Sequence, residues 1–350
     1  MTVVNDDEGA AVRTQGRAAD GRVVASRPAL PVEGHLRSLE VRVPASTSNL
    51  GAGFDCFGLA LRLYLDVRAT VSDDASEPCV VSSTGEGGGA ELPRACDNLI
   101  FRAMRFAAER EGLTLPPVRL DARNEIPLGR GLGSSAAAIV AGLKLAASLC
   151  GHELKDETLL RYATELEGHA DNVAASLRGG WVTTCVKTDG SVLVVKRRWP
   201  EDIKVVVVSP EVSLETSRAR AALPSRVERA DAVYNLQRAA LFGAALEAGD
   251  DELVWEAMRD RLHQPHRRGL VPGLAGALDT PRQKGLVGLA LSGAGPSVVA
   301  LARGRFEEIG EAVAEGFRRA GVAATARVLE VDEEGLGSRT ASAGMNKQEE

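Results

Sequence analysis

Apolar and polar positions along the chain follow two periods, and the switches between them outline its elements. Strict alternation in "LEVRVPAS" (39–46) and "YLDVRATVS" (64–72) predicts two strands, each with one face toward a core. "NLIFRAMRFAAEREG" (98–112) repeats apolar residues every three or four positions, which predicts a helix stopping at Gly112. "PVRLDARNEIPL" (117–128) returns to period two, and helical periodicity then covers 134–150 and 156–167. "GGWVTTCVKTDGSVLVVKRRW" (179–199) reads as a hairpin turning at Asp189-Gly190, because Asp-Gly suits the positive φ angles of tight turns.

Near Pro200 the pattern resets. "IKVVVVSP" (203–210) predicts a fully apolar strand, and several helical segments follow up to about Leu278. "GLVGLALSGAGPSVVALA" (285–302), a helix near 305–320 and the strand "ATARVLEV" (324–331) complete the pattern. Strands and helices mix in both halves without a regular βαβ repeat, so the expected class is α+β in two domains, 39–200 and 201–334. Residues 1–38 and 335–350 are polar and unpatterned, and are expected to be disordered extensions. Asp6, Asp7 and Glu8 stand where a signal peptide would be basic, and no apolar run approaches a membrane span. The Gly85–Gly89 cluster reads as a surface connection, since no helix starts directly after it.

Composition narrows the class further. The 350 residues are 44% hydrophobic, ample for a core, and 26% charged. A net charge of −6 with no basic block argues against nucleic acid as a partner. Five scattered cysteines, Cys56, Cys79, Cys96, Cys150 and Cys185, contain no Cys-x-x-Cys pair. They fit reduced thiols in a cytoplasmic compartment rather than a disulfide framework or a zinc site.

The chemistry gathers first at "PLGRGLGSSAAAIVAGL" (127–143), where glycines and two serines precede a helix that is apolar nearly all round. Glycines let the backbone turn tightly and approach a ligand. The free N–H groups and dipole of a helix start then make an anion site, most often for phosphate. Ser134 and Ser135 could cap the helix, donate to phosphate or help hold magnesium. A serine-capped glycine connection is the plain alternative. No lysine follows the glycines as in a Walker A loop, and the spacing of Gly129, Gly131 and Gly133 is not that of the dinucleotide fingerprint.

Two further blocks favour the phosphate reading: "VPASTSNLGAGFDCFGLAL" (43–61) and "LSGAGPSVVA" (291–300). With the glycine loop they resemble, in order and spacing, the three signature blocks of the GHMP kinases, over about residues 39–332. "SNLGAGFD" (48–55), "EGHADNVAASLRGG" (167–180), "TSRARAALP" (216–224), "YNLQRAALFGAAL" (234–246) and "QPHRRGLVPG" (264–273) resemble the homoserine kinase branch. Ala170 and Ala175 replace two prolines of the usual pattern, and Gln264 replaces a glutamate.

The resemblance implies a ribosomal protein S5 domain 2-like first domain and a ferredoxin-like second domain. It implies ATP bound along Pro127, Gly129, Arg130, Gly131, Leu132, Gly133, Ser134, Ser135 and Ala136, with Asn98 alongside, and Mg2+ held by Ser135 and Glu167. Helical spacing supports Glu167, which shares a face with Leu160 and Ala163, whereas Glu165 falls four residues after Arg161 and could pair with it in solvent. The implied acceptor is L-homoserine, phosphorylated on its side-chain hydroxyl toward threonine. Arg220 and Arg267 would grip its carboxylate, and Asn49, Asp55, His169 and Thr216 would lie at its amino and hydroxyl end. His169, Asn172 and Thr216 are the candidate catalytic residues. Asn172 stands where several relatives place an aspartate and cannot take a proton, so the expected route is direct in-line attack, with Asp171 as base the alternative. A kinase for another small hydroxylated amino acid or alcohol, and a non-catalytic ligand sensor, remain as rival readings. The resemblance leaves room for a homodimer.

Overall fold

The computed structural model describes residues 36–88 and 97–340. The expected N-terminal extension as far as residue 35, Gly89, and the tail beyond Thr340 lie outside the described residues.

The first sheet begins with β1 (Ser38–Ser48), β2 (Phe57–Val71) and β3 (Cys79–Gly85), and continues past α1 (Leu99–Glu111) into β4 (Val118–Asn124). Three helices follow, α2 (Ser134–Leu149), α3 (Asp156–Glu167) and α4 (Asp171–Arg178), then the hairpin β5 (Trp181–Val186) and β6 (Val192–Arg197). The second half holds β7 (Lys204–Pro210), α5 (Thr216–Ala221), α6 (Arg229–Ala248), α7 (Asp251–Ala257), α8 (Gln264–Arg267) and α9 (Leu274–Leu278). It ends with β8 (Leu286–Leu291), β9 (Val298–Ala302), α10 (Phe306–Arg318), β10 (Ala324–Leu329) and β11 (Gly337–Thr340).

These strands form two sheets, the mixed class that the two periods led us to expect. The first has the order β11-β1-β2-β4-β3, with β5 and β6 attached through β2; the second has the order β10-β7-β9-β8. Among the described residues, only β3 and β4 pair in parallel. The core beneath the first sheet continues into the second half, where Val205, Val207, Phe242 and Val287 join it.

α2 is the central helix, buried at Ala136, Ile139, Leu143 and eight further positions, as its apolar circumference requires. Gly142 lets α1 close on it: a Cβ there would lie 2.2 Å from the Ile100 carbonyl oxygen. α1 starts on Asn98, whose side chain accepts the Ile100 N–H, and stops at Gly112 with φ of 64°.

Three expectations need correction. β11 lies inside the stretch expected to be a disordered tail. It pairs Leu39 with Thr340 through Arg42 with Gly337, and because all four of its residues are exposed no apolar pattern announced it. The hairpin does turn at Asp189-Gly190, but not with positive φ at both residues. Lys187 and Ser191 still pair around a three-residue loop, and of the two turn residues only Gly190 takes positive φ; Asp189 instead accepts the Ser191 N–H. α2 has no serine cap: Gly133, with φ of 71°, precedes it, and both serines lie within the first turn.

Candidate active site

A cavity of about 390 Å³ opens beside the start of α2, within the size range of small-molecule sites. Its floor is the loop 127–133. Every carbonyl from Gly129 to Gly133 is engaged by the protein. Leu214 N–H donates to Gly129, Ser297 N–H to Arg130, Ser292 Oγ to Gly131, Ser46 N–H to Leu132 and Ala137 N–H to Gly133. Among the described residues, no hydrogen bond is donated by a backbone N–H between Leu128 and Ala136. The loop therefore turns its oxygens into the protein and leaves its amides for an anion. Gly131 and Gly133 have φ of 73° and 71°, and Cβ atoms there would lie 2.1 Å from the Ser292 carbonyl oxygen and 2.2 Å from Ser46 Oγ. Their need for glycine comes first from the protein's own contacts.

Arg130 contributes backbone only. Its guanidinium turns away from the loop amides and donates to the Pro210 carbonyl on β7. Asn98 and Pro127 line the cavity, and the Asn98 carbonyl end caps α1.

Ser135 Oγ donates to Glu167 Oε1 at 2.6 Å, joining the start of α2 to the end of α3. Burial pushes the Glu167 carboxyl above its ordinary range, against the Ser135 hydrogen bond and the nearby His169. Glu165 faces the other way and pairs with Arg110 on α1, not with Arg161. Two oxygens at a helix start suit a hard cation. Among the described residues there is no cluster of three or more His, Cys, Asp or Glu side chains that could hold a metal alone. A magnesium ion takes one or two protein ligands and completes its shell with phosphates and water.

Behind Glu167 stands His169, with Nε2 3.8 Å from Glu167 Oε1 and Nδ1 2.6 Å from Asp171 Oδ1. Burial disfavours the imidazolium, but the Asp171 carboxylate and Glu167 outweigh it, so the His169 pKa lies above its ordinary value. For Asp171 burial is likewise outweighed, by His169 and the Asn172 N–H, and its pKa lies below the ordinary value. Asn172 uses both ends of its amide on β1: Oδ1 accepts from Ser48 Oγ at 2.9 Å, and Nδ2 donates to the Ser46 carbonyl and Oγ. It braces α4 against β1 rather than presenting its amide to a ligand. Ser46 and Ser48, which do this bracing, carry no signal in the sequence beyond a hydroxyl-rich strand.

The opposite wall carries charge. Arg220 on α5 holds Asp55 with both terminal nitrogens, Nη2–Oδ1 at 2.7 Å and Nη1–Oδ2 at 3.1 Å. Asp55 has a left-handed φ of 54°, and its N–H donates to Asn49 Oδ1. Asn49 Nδ2 donates to the Gly293 carbonyl, so Asn49 shapes the turn. Thr216 is exposed on the cavity rim. Arg267 is 1% exposed and, among the described residues, forms no ion pair. It donates to the Ala219 and Gly293 carbonyls, and burial together with Arg220 pulls its pKa down to about 10. Sequence reasoning did not find Phe54, whose ring lies 5.3 and 5.8 Å from the guanidinium carbons of Arg267 and Arg220.

Known proteins fit this geometry. The model of the GHMP kinase N-terminal domain matches residues 98–180, and that of the GHMP kinase C-terminal domain matches 243–319. A homoserine kinase from Persephonella marina is 39% identical over 300 residues, 86% of this chain and 98% of the relative. One from Solibacter usitatus is 42% identical over 297 residues, 85% and 95% of the two chains. A crystal structure of homoserine kinase from Cytophaga hutchinsonii matches with a TM-score of 0.74 at 30% identity, covering 89% of this chain and all of that one. Mevalonate kinase from L. major shares the fold alone, with a TM-score of 0.60 at 14% identity, over 84% of this chain and 95% of that one. By these similarities, and with the glycine loop and the Ser135–Glu167 corner in place, the chain belongs to the GHMP kinase family, in its homoserine kinase branch.

Proposed function

We propose that this kinase transfers the γ-phosphoryl group of ATP to the side-chain hydroxyl of L-homoserine, with Mg2+ at the Ser135–Glu167 corner, in the cytoplasm. The observation that carries the acceptor is the charged wall. Asp55 and Arg220 neutralise each other across the cavity edge, and Arg267 lies buried without a counter-ion. An α-amino acid supplies the missing groups, an ammonium for Asp55 and a carboxylate for the two arginines. A buried cation without a counter-ion is costly, so a ligand carboxylate there gains what the free protein lacks.

The phosphates would rest on the amides of Gly129 through Ala136, at the positive end of α2. A bound magnesium ion would draw charge from the phosphate oxygens as the bond to the leaving group breaks. His169 would keep its Nδ1 proton on Asp171 and aim Nε2 at the reacting end of the cavity. Thr216 on the rim would orient the acceptor hydroxyl. Such a transfer depends on position and charge more than on prior deprotonation, so no base is needed. Asp171 is a poor candidate for one, since its Oδ1 already accepts from His169 and from the Asn172 N–H.

The three departures from the usual pattern lie outside the cavity. Ala170 and Ala175 are buried about α4, and Gln264 Oε1 accepts the Leu291 N–H. They leave the acceptor wall unchanged, which supports L-homoserine over other hydroxylated amino acids. Purified protein with ATP, magnesium and either L-homoserine, L-serine, an amino alcohol or mevalonate tests this by ADP release. The expected result is turnover dominated by L-homoserine. Preference for an acceptor without a carboxylate would overturn the reading.

A further inference from the structure

His263 is fully buried and belongs to none of the roles above. Its Nε2 lies 2.9 Å from the Gly51 carbonyl oxygen, and its Nδ1 lies 3.2 Å from Arg267 Nη1. A guanidinium only donates and a carbonyl only accepts. Both contacts are therefore made by a single form of the ring: neutral, with its proton on Nε2 and its lone pair on Nδ1. The cationic ring could not accept from Arg267, and the other neutral tautomer would set an N–H against the guanidinium and a lone pair against the carbonyl.

The two partners lie on the two halves of the acceptor site. Gly51 is in the turn 49–55 that ends on Asp55, and Arg267 ends α8. Phe54, from the same turn, stacks on His263 at 5.2 Å and 23° and also faces the Arg267 guanidinium. The ring itself is held from behind. Asp260 accepts the backbone N–H groups of Leu262, His263 and Gln264 and the Asn235 amide, so its carboxylate fixes the entry to α8. Arg267 has Nε and Nη1 committed to Ala219, Gly293 and His263, and among the described residues no hydrogen bond is donated from Nη2. Two anchored nitrogens fix the plane of a rigid fork and so the direction of its remaining donors.

We propose that His263 is a positioning residue for the acceptor: through one tautomer it locks the Arg267 guanidinium to the 49–55 turn, setting the spacing between the carboxylate-binding and ammonium-binding groups. This rests on the reading that Arg267 binds the acceptor carboxylate.

The test uses the full chain with His263→Asn, His263→Gln, Arg267→Ala and the double change His263→Gln/Arg267→Ala. Asparagine places Oδ1 near the position of Nδ1 and can still accept from Arg267. Glutamine reaches Gly51 with its amide but leaves Arg267 without an acceptor. The expected result is an acceptor KM raised about tenfold by His263→Gln, the loss of about 1.4 kcal/mol of binding. For His263→Asn it should rise by no more than about threefold, with kcat and the KM for ATP nearly unchanged in both. In the Arg267→Ala background, His263→Gln should add no further rise, because its effect passes through that guanidinium. A merely structural role would add to the loss and would depress kcat and both KM values together, and that outcome overturns the inference. So does an unchanged acceptor KM in His263→Gln while Arg267→Ala raises it. If Arg267→Ala itself leaves the acceptor KM unaltered, the carboxylate reading of the site fails instead. Should both His263 variants fail to fold, imidazole 15N shifts of the unaltered protein decide: a cationic ring or the Nδ1–H tautomer overturns the inference.

Discussion

Arg220 meets Asp55 as a two-pronged ion pair, nitrogen to oxygen at 2.7 and 3.1 Å, at the mouth of the cavity. Each partner is the complement of one end of an amino-acid zwitterion. Ligand binding would exchange one internal pair for two protein–ligand pairs without adding net charge to the site. In the free protein Asp55 and Arg220 thus hold each other in place beside the buried, uncompensated Arg267.

Arg220→Ala should therefore act on the acceptor. We expect its KM to rise about tenfold or more, since a charge-assisted bond is worth about 1.5–3 kcal/mol. The KM for ATP, bound on the opposite floor, should hardly move. Initial rates with each substrate varied in turn check this. The amino diol made by reducing the homoserine carboxylate should be a poor substrate for the unaltered protein and indifferent to the replacement.

Glu167→Gln should raise the magnesium concentration needed for half-maximal rate by about tenfold or more, because one of few oxygen ligands loses its charge. Glu165→Gln should not, since that carboxylate faces Arg110 outside the cavity. The same Glu167→Gln protein, without ligands, should melt higher than the unaltered one. Burial raises the Glu167 pKa, so its ionised form costs stability once the pH exceeds the ordinary carboxylate value of about 4.3. The difference in melting temperature should vanish in acid, open as the pH rises above about 4.3 and level off once the pH has passed the raised pKa.

Gly131→Ala and Gly133→Ala should cost folding stability, about 2 kcal/mol or more each, because left-handed φ and a Cβ contact near 2 Å act together. Ser135→Ala should melt like the unaltered protein yet lose most phosphoryl transfer. Urea unfolding beside ADP release separates the two classes. Equal stability in all three would mean that the loop glycines serve only the ligand.

The His169–Asp171 pair predicts a stability window. Asp171 titrates below its ordinary value, so its contribution is present above about 3.9 and is lost as the pH falls through its lowered pKa. His169 titrates above its ordinary value, so its contribution is complete below about 6.5 and is lost as the pH rises through its raised pKa. Asp171→Asn removes the partner and should move the His169 titration toward more acid pH. Histidine NMR shifts against pH follow it directly, and an unmoved titration would assign the raised pKa to Glu167 instead.

What could be read from the chain follows from the kind of signal each element leaves. α2 and its loop were legible because small residues, glycines and serines occupy adjacent positions with one physical purpose. Glu167 was legible because a helix has a period, and Leu160 and Ala163 mark its inner face. Asn172 was legible as a member of the site but not in its role, since its Ser46 and Ser48 partners stand more than a hundred residues away and hydrogen-bond direction has no sequence period. The lone-pair chain from Gly51 through His263 to Arg267 is hidden for the same reason. Arg130 looked like a phosphate ligand by position, and the fold turned its side chain to β7.

β11 sets an order on synthesis. β1 is made before the strand that covers its outer edge, and all the other strands and helices described are made between them. Until then the nascent sheet has an open row of amides and carbonyls, able to pair with any extended neighbour. Closing it brings residues 337–340 back to residues 39–42, a loop that spans nearly all the described residues. Those four exposed residues, with no side chain in the core, thus decide whether the first strand is sealed: a chain cut before them leaves the outer edge of β1 open.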